Sequence, residues 1–308
     1  MGFVRSASFS ITRVIFAVLI VHMAIGVAVH VYWLSTFSDR VLRTYFDNEG
    51  VLVLLLFSTL QLICTISVYR EFSDDHPLGV AWFYLLLASM SLFVGTVLRH
   101  ILGGSIAMNP LMHSSLGSEQ FRGLLGSIGT VIGGPIYMIL LGVGLYAALR
   151  VYKQLGMAAK LKTVDMVLIG ATMIYALIVM IGVVQAVRND PGGITVQHAL
   201  TFPGDYLVAV LLLEAVFLRR SAAEMGGGYI GKAWGAFVAA IFLMAFCDLM
   251  NWLTAYGVLT WIQTSFVWYL WYPVSAAFAL APAYQWEAVR TAQTRLGKRL
   301  SDLGVPAR

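Results

Sequence analysis

The chain has 308 residues, of which 59% are hydrophobic and 11% charged, with a mean hydropathy of +0.82. Soluble domains carry about 25% charged residues, so this chain cannot cover a water-facing surface, and a soluble globular domain is excluded. The net charge of +5 bears on which way the chain sits in a membrane, not on nucleic acid, which is not an expected partner.

The apolar residues fall in runs near 20 residues, the length that spans a hydrocarbon core of about 30 Å, and only a helix satisfies its own backbone there. The expected fold is all-α: a polytopic transmembrane helix bundle of about eight spans over residues 1–284, followed by an amphipathic helix at 285–308. The lipid bilayer is its first partner.

The first span, 11–34, has Arg5 and Arg13 ahead of its apolar stretch, Val14 to Leu34, which is too long for a cleaved signal peptide and lacks a convincing cleavage site. It carries His22 and His30. In the connection at 38–50, Val41, Leu42, Tyr45 and Phe46 fall on one helical face, which predicts a short helix lying at the membrane surface. The second span, 51–69, contains Cys64. The third, 80–99, ends on Arg99 and His100. Between 102 and 127, apolar clusters at 111–112 and 121–125 flank His113 and predict a segment lying on the membrane or dipping into the bundle. The fourth span, 129–149, opens with Gly129 and Gly133 and contains Pro135, which predicts a close helix contact and a bend.

The fifth span, 164–187, brings Gln185 to its end beside Arg188. Asp-Pro-Gly-Gly at 190–193 is a turn signal, and His198 follows it. The sixth span, 202–218, holds Glu214. Residues 226–232 read GGGYIGK, but Ala233 stands where a phosphate loop needs Ser or Thr, and no strand precedes the glycines. The seventh span, 233–256, holds Cys247, Asp248 and Asn251. Neither cysteine belongs to a CxxC pair, and their opposite depths predict no disulfide between them. The eighth, 261–284, is dense in aromatics: Trp261, Trp268, Tyr269, Trp271 and Tyr272, then Pro273. In the tail, Trp286, Val289, Gln293, Leu296, Leu300 and Leu303 form a heptad-like seam interrupted by Gln293. The expected placement is on the inner leaflet, with a helical protein partner or a second copy of the chain as the alternative.

Basic residues fix the orientation. Arg5, Arg13, Arg70, Arg150, Lys153, Lys160, Lys162, Arg219, Arg220, Lys232, Arg290, Arg295, Lys298, Arg299 and Arg308 fall on one side, 15 of the 20 in the chain. Arg40, Arg43, Arg99, Arg122 and Arg188 fall on the other. The positive-inside rule places both termini in the cytoplasm, and a bacterial inner membrane is the expected location.

Ionisable and polar groups inside a membrane are costly and invite a functional reading. Arg99, Gln185, Arg188, Asp248 and Asn251 share the outer depth and form a candidate ligand pocket. Asp248 and Asn251 lie three apart on one helix face. His30, His100 and His198 lie on the same side and are candidate ligands for haem b, while the aromatic eighth span offers a surface for a quinone. No HExxH, CxxCH or GxSxG pattern occurs, and nothing identifies an enzyme. The expected function is a non-catalytic membrane module that senses a ligand or docks a partner. A redox subunit holding haem b or quinone, and a small-solute transporter using Glu214 and Asp248, are the alternatives. The layout resembles the multi-helix input regions of bacterial sensor proteins, with the output supplied by a partner.

Overall fold

The structure is a computed structural model that describes residues 10–36, 41, 45, 50–72, 76–103, 119–157, 161–189, 196–224, 228–255 and 257–302. These residues are almost wholly helical, and no strand occurs among them. The helices are α1 (Ile11–Thr36), α2 (Val51–Glu71), α3 (Gly79–Leu102), α4 (Glu119–Val131 continuing to Gln154), α5 (Thr163–Asn189), α6 (Val196–Glu224), α7 (Gly228–Ala255), the short α8 (Trp261–Thr264) and α9 (Val267–Asp302).

Six of them, α1 to α5 and α7, are long and apolar enough to cross a membrane, the mark of an integral membrane protein. The two other expected spans lie on α6 and α9. The sequence of α6 carries Asp205, Glu214, Arg219 and Arg220, and the first half of α9 is rich in Trp, Tyr and Pro. Residues 276–283 of α9 are all buried by protein.

Packing arranges six helices in a closed ring: α2, α3, α4, α6, α7, α9 and back to α2. Outside it, α1 seats on α9, and α5 seats on α6. Successive helices alternate in direction, so their ends group into two faces, called outer and inner below from the charge bias of the sequence. The ring is filled. Trp82 of α3 and Trp234 of α7 meet across its inner half with ring centres 6.0 Å apart. The Trp234 indole N–H donates to the Tyr152 hydroxyl at 2.8 Å. Nearer the middle, Phe278 of α9 meets Tyr137 of α4 at 5.7 Å and Phe237 of α7 at 6.4 Å.

The expected close contact of the fourth span is present. A Cβ on Gly95 of α3 would fall on the backbone of Gly133, and one on Gly129 would stand 2.8 Å from the Gly95 carbonyl oxygen. Backbones this close gain dispersion contacts that larger residues would prevent. Both helices loosen where they meet, with π-helical turns at Val97–Leu102 and Ile132–Ile136. Pro135 lies within the second and supplies no N–H to the helix ladder, and the five-residue register absorbs that gap. The Ile132 carbonyl also accepts from the Ser91 hydroxyl of α3 at 2.5 Å.

Boundaries differ in two places. Helix α4 begins at Glu119, so residues 121–125 are its first turns and not a separate surface segment. The 261–284 segment divides at Ser265, where Thr260 and Gln263 form a capping box on the short α8. Beyond it α9 runs through residue 284 without a break, so span and tail are one 36-residue helix. Leu303, and the side chains of the seam residues Gln293, Leu296 and Leu300, lie outside the described part. So do His113 and the turn at 190–193. Cys64 and Cys247 are buried free thiols.

Candidate functional site

Helix α1 places His22, Gly26 and His30 at four-residue spacing, along one slowly turning face. That face meets Tyr269 and Tyr272, one turn apart on α9. The His22 ring lies edge-on to Tyr272 with centres 4.3 Å apart, and His30 lies edge-on to Tyr269 at 5.2 Å. Gly26 makes the fit possible. A Cβ there would stand 2.7 Å from Cδ1 of Tyr269 and 3.2 Å from the Tyr45 hydroxyl.

Tyr45 enters from the connection before α2. Its hydroxyl lies 2.9 Å from Nε2 of His22, and its ring centre is 6.0 Å from Tyr269 and 6.5 Å from Tyr272. Tyr45 and His22 are each only 5% exposed. Of the segment expected to lie at the membrane surface, Tyr45 is buried against α1 and α9, while Leu42 and Phe46 lie outside the described residues. Gly50 lies against the Tyr272 hydroxyl, where a Cβ would collide with it. Toward the outer end, His30 packs on Trp33 at 5.5 Å and has Ser265 Oγ 3.4 Å from its Nε2. Its Nδ1 is buried without a hydrogen-bond partner among the described residues.

At the inner end the same two helices are tied by a carboxylate. Oε1 of Glu287, on α9, accepts from Ser10 Oγ at 2.9 Å, from the Thr12 backbone N–H at 3.1 Å and from Thr12 Oγ1 at 3.1 Å. These contacts satisfy an orphan donor of the first turn of α1, the task usually done by a local cap. Helix α1 is thus fastened to α9 at both ends.

The residues expected to form an outer pocket stand on three helices. Arg99 is on α3, Gln185 and Arg188 are exposed on α5, and Asp248 and Asn251 are on α7, with Asn251 exposed. Around the ring α3 and α7 lie opposite one another, and α5 is outside it. Of the histidines, His30 is on α1 and His100 on the π-helical turn of α3, helices that are not neighbours in the bundle. The backbone of His198 lies in α6, and its side chain is outside the described part. No group of three or more His, Cys, Asp or Glu that would hold a metal occurs among the described residues.

Tyr45, Gly26 and Glu287 were not singled out in the sequence as functional. The four-residue spacing of His22, Gly26 and His30 was the available signal. A buried imidazole–phenol pair between aromatic rings is polarisable and presents ring faces and one hydroxyl. No family model matches the chain, and neither does a curated protein or a solved structure.

Proposed function

We propose that the chain is a membrane input module in which the His22–Tyr45–Tyr272 cluster receives a signal near the middle of the membrane and α9 carries it inward. The observation that supports this reading is the continuity of α9. One 36-residue helix holds Tyr269 and Tyr272 near its start and, further along, Glu287 at the level where α1 begins. At 1.5 Å per residue it is about 54 Å long, well beyond a hydrocarbon core of about 30 Å. Pro273 follows Tyr272 directly, and Pro282 lies nine residues further along the helix. Each removes a ladder hydrogen bond, so bending is easiest next to the cluster. In this reading both termini face the cytoplasm of a bacterial cell, eight helices cross the membrane, and a helical partner or a second copy meets the basic end of α9.

The test is a distance measurement. Spin labels at Arg13 on α1 and Arg290 on α9, in the protein in lipid nanodiscs, report the inner ends. Tyr45→Ala at the cluster is expected to shift their distance distribution. An unchanged distribution in a folded variant overturns the relay.

The second reading, a small-solute transporter, draws on polar groups inside the ring. Gln61 of α2 donates to Ser89 of α3 at 3.2 Å, and Thr65 lies 3.1 Å from the same hydroxyl. On α6, Glu214 Oε2 is buried without a hydrogen-bond partner among the described residues. Proton-coupled flux abolished by Glu214→Gln would favour this reading over the relay.

A further inference from the structure

The surroundings of Tyr45 define a binding chemistry. Its phenol does not belong to α1 or α9, yet it stands between them. The hydroxyl is 2.9 Å from His22 Nε2, and the Tyr269 and Tyr272 rings flank it. Below it Gly26 presents no side chain, and a methyl group there would come within 3.2 Å of the hydroxyl. A hydroxyl both donates and accepts, so a phenol matches His22 in either tautomer.

We propose that Tyr45 is a built-in occupant of a site for a membrane-soluble phenolic ring, such as the head group of a hydroquinone, which binds by displacing it. The proposal rests on the input-module reading and names its ligand class. The incoming ring takes the place of the Tyr45 ring between Tyr269 and Tyr272, and its hydroxyl takes over the bond to His22. Tyr45 leaves its place between α1 and α9 in the same step, which is how occupancy would reach the rest of the protein. Apparent affinity is reduced by the fraction of protein in which Tyr45 holds the site, so removing Tyr45 raises it.

The probe is p-cresol, measured by equilibrium dialysis against the full chain in lipid nanodiscs, with empty nanodiscs as the blank. Tyr45→Ala is expected to bind p-cresol about tenfold more tightly than the unsubstituted chain, since the internal competitor is gone. Should that variant fail to fold, Tyr45→Phe keeps the ring, loses the hydroxyl and is expected to gain about fivefold, the worth of one hydrogen bond. In either background p-xylene, the same shape without a hydroxyl, is expected to bind about fivefold more weakly than p-cresol, and His22→Phe is expected to erase that difference.

No saturable p-cresol binding above the nanodisc blank overturns the proposal. So does binding that neither Tyr45 substitution strengthens, or a preference over p-xylene that survives His22→Phe. Spin-label distances taken on the same samples separate the two readings. If p-cresol binds as expected while the Arg13–Arg290 distance stays fixed, the site stands and the relay fails. If Tyr45→Ala moves that distance while p-cresol does not bind, the relay stands and the ligand assignment fails.

Discussion

Glu287 caps a helix it does not belong to: its carboxylate oxygen accepts from the backbone N–H of Thr12, 275 residues away in sequence, at 3.1 Å. Ser10 and the Thr12 hydroxyl converge on the same oxygen. In Glu287→Ala the first turn of α1 loses its acceptor, at a cost of about 1 kcal/mol on the scale of ordinary caps. The expected sign is local fraying. A cysteine placed at Ile11, which is buried in the intact protein, should react with a maleimide faster in Glu287→Ala than in its parent, and equal rates would remove the clamp.

Tyr45→Phe isolates the hydroxyl that meets His22. The ring stays, while His22, 5% exposed, loses that bond far from water. Losing one buried hydrogen bond costs about 0.5–1.5 kcal/mol. Thermal unfolding in detergent should show the variant clearly less stable, and a melting temperature equal to that of the parent would mean that water or another group reaches the imidazole.

The α3–α4 contact allows a matched pair of substitutions. Gly95→Ala forces a methyl onto the backbone of Gly133, whereas a Cβ at Gly134 meets nothing within 4 Å. The first should lose about 1–3 kcal/mol through overpacking. The second should be neutral or slightly stabilising, because alanine favours the helix. The comparison of the two melting temperatures is the check, and equal effects would show that the helices separate freely.

Asp165 at the start of α5 is 1% exposed and lies 3.4 Å from Arg219 and 3.8 Å from Arg220 of α6. It also accepts from the Lys162 backbone N–H at 2.8 Å. Asp165→Ala removes the acceptor that serves both, and a loss of about 1–3 kcal/mol is expected. Arg219→Ala should cost far less, because that side chain is 44% exposed and screened pairs contribute about 0–1 kcal/mol. Thermal melts that rank the two the other way round would place the stabilisation in the arginine.

The bundle was legible in the sequence because lipid imposes its demands one helix at a time. Each run from α1 to α5 and α7 declared itself by length and apolarity, and Gly129 with Gly133 announced a close contact by lacking side chains. The order of helices around the ring was not legible. Lipid is as apolar as the protein interior, so a buried face carries no periodic mark, and nothing local says that α3 faces α7 or that α1 lies outside. The site was hidden for the same reason. His22 and His30 stood out as costly residues, but their partners come from Tyr45, which the sequence groups with Val41, Leu42 and Phe46 on one apolar face, and from an aromatic run that reads equally well as packing. Glu287 was invisible because its role is set by where another helix begins.

A ring of six helices would be a pipe if its middle were empty. Trp82, Trp234 and Phe237 close it toward one face, with Phe278 and Tyr137 behind them, and all five are almost wholly buried. In a membrane such a stack is expected to break a file of water along the axis, so that ions do not leak through the bundle. Trimming Trp82 and Trp234 to alanine would expose that role as a leak of protons into sealed vesicles, before any change in what the chain binds.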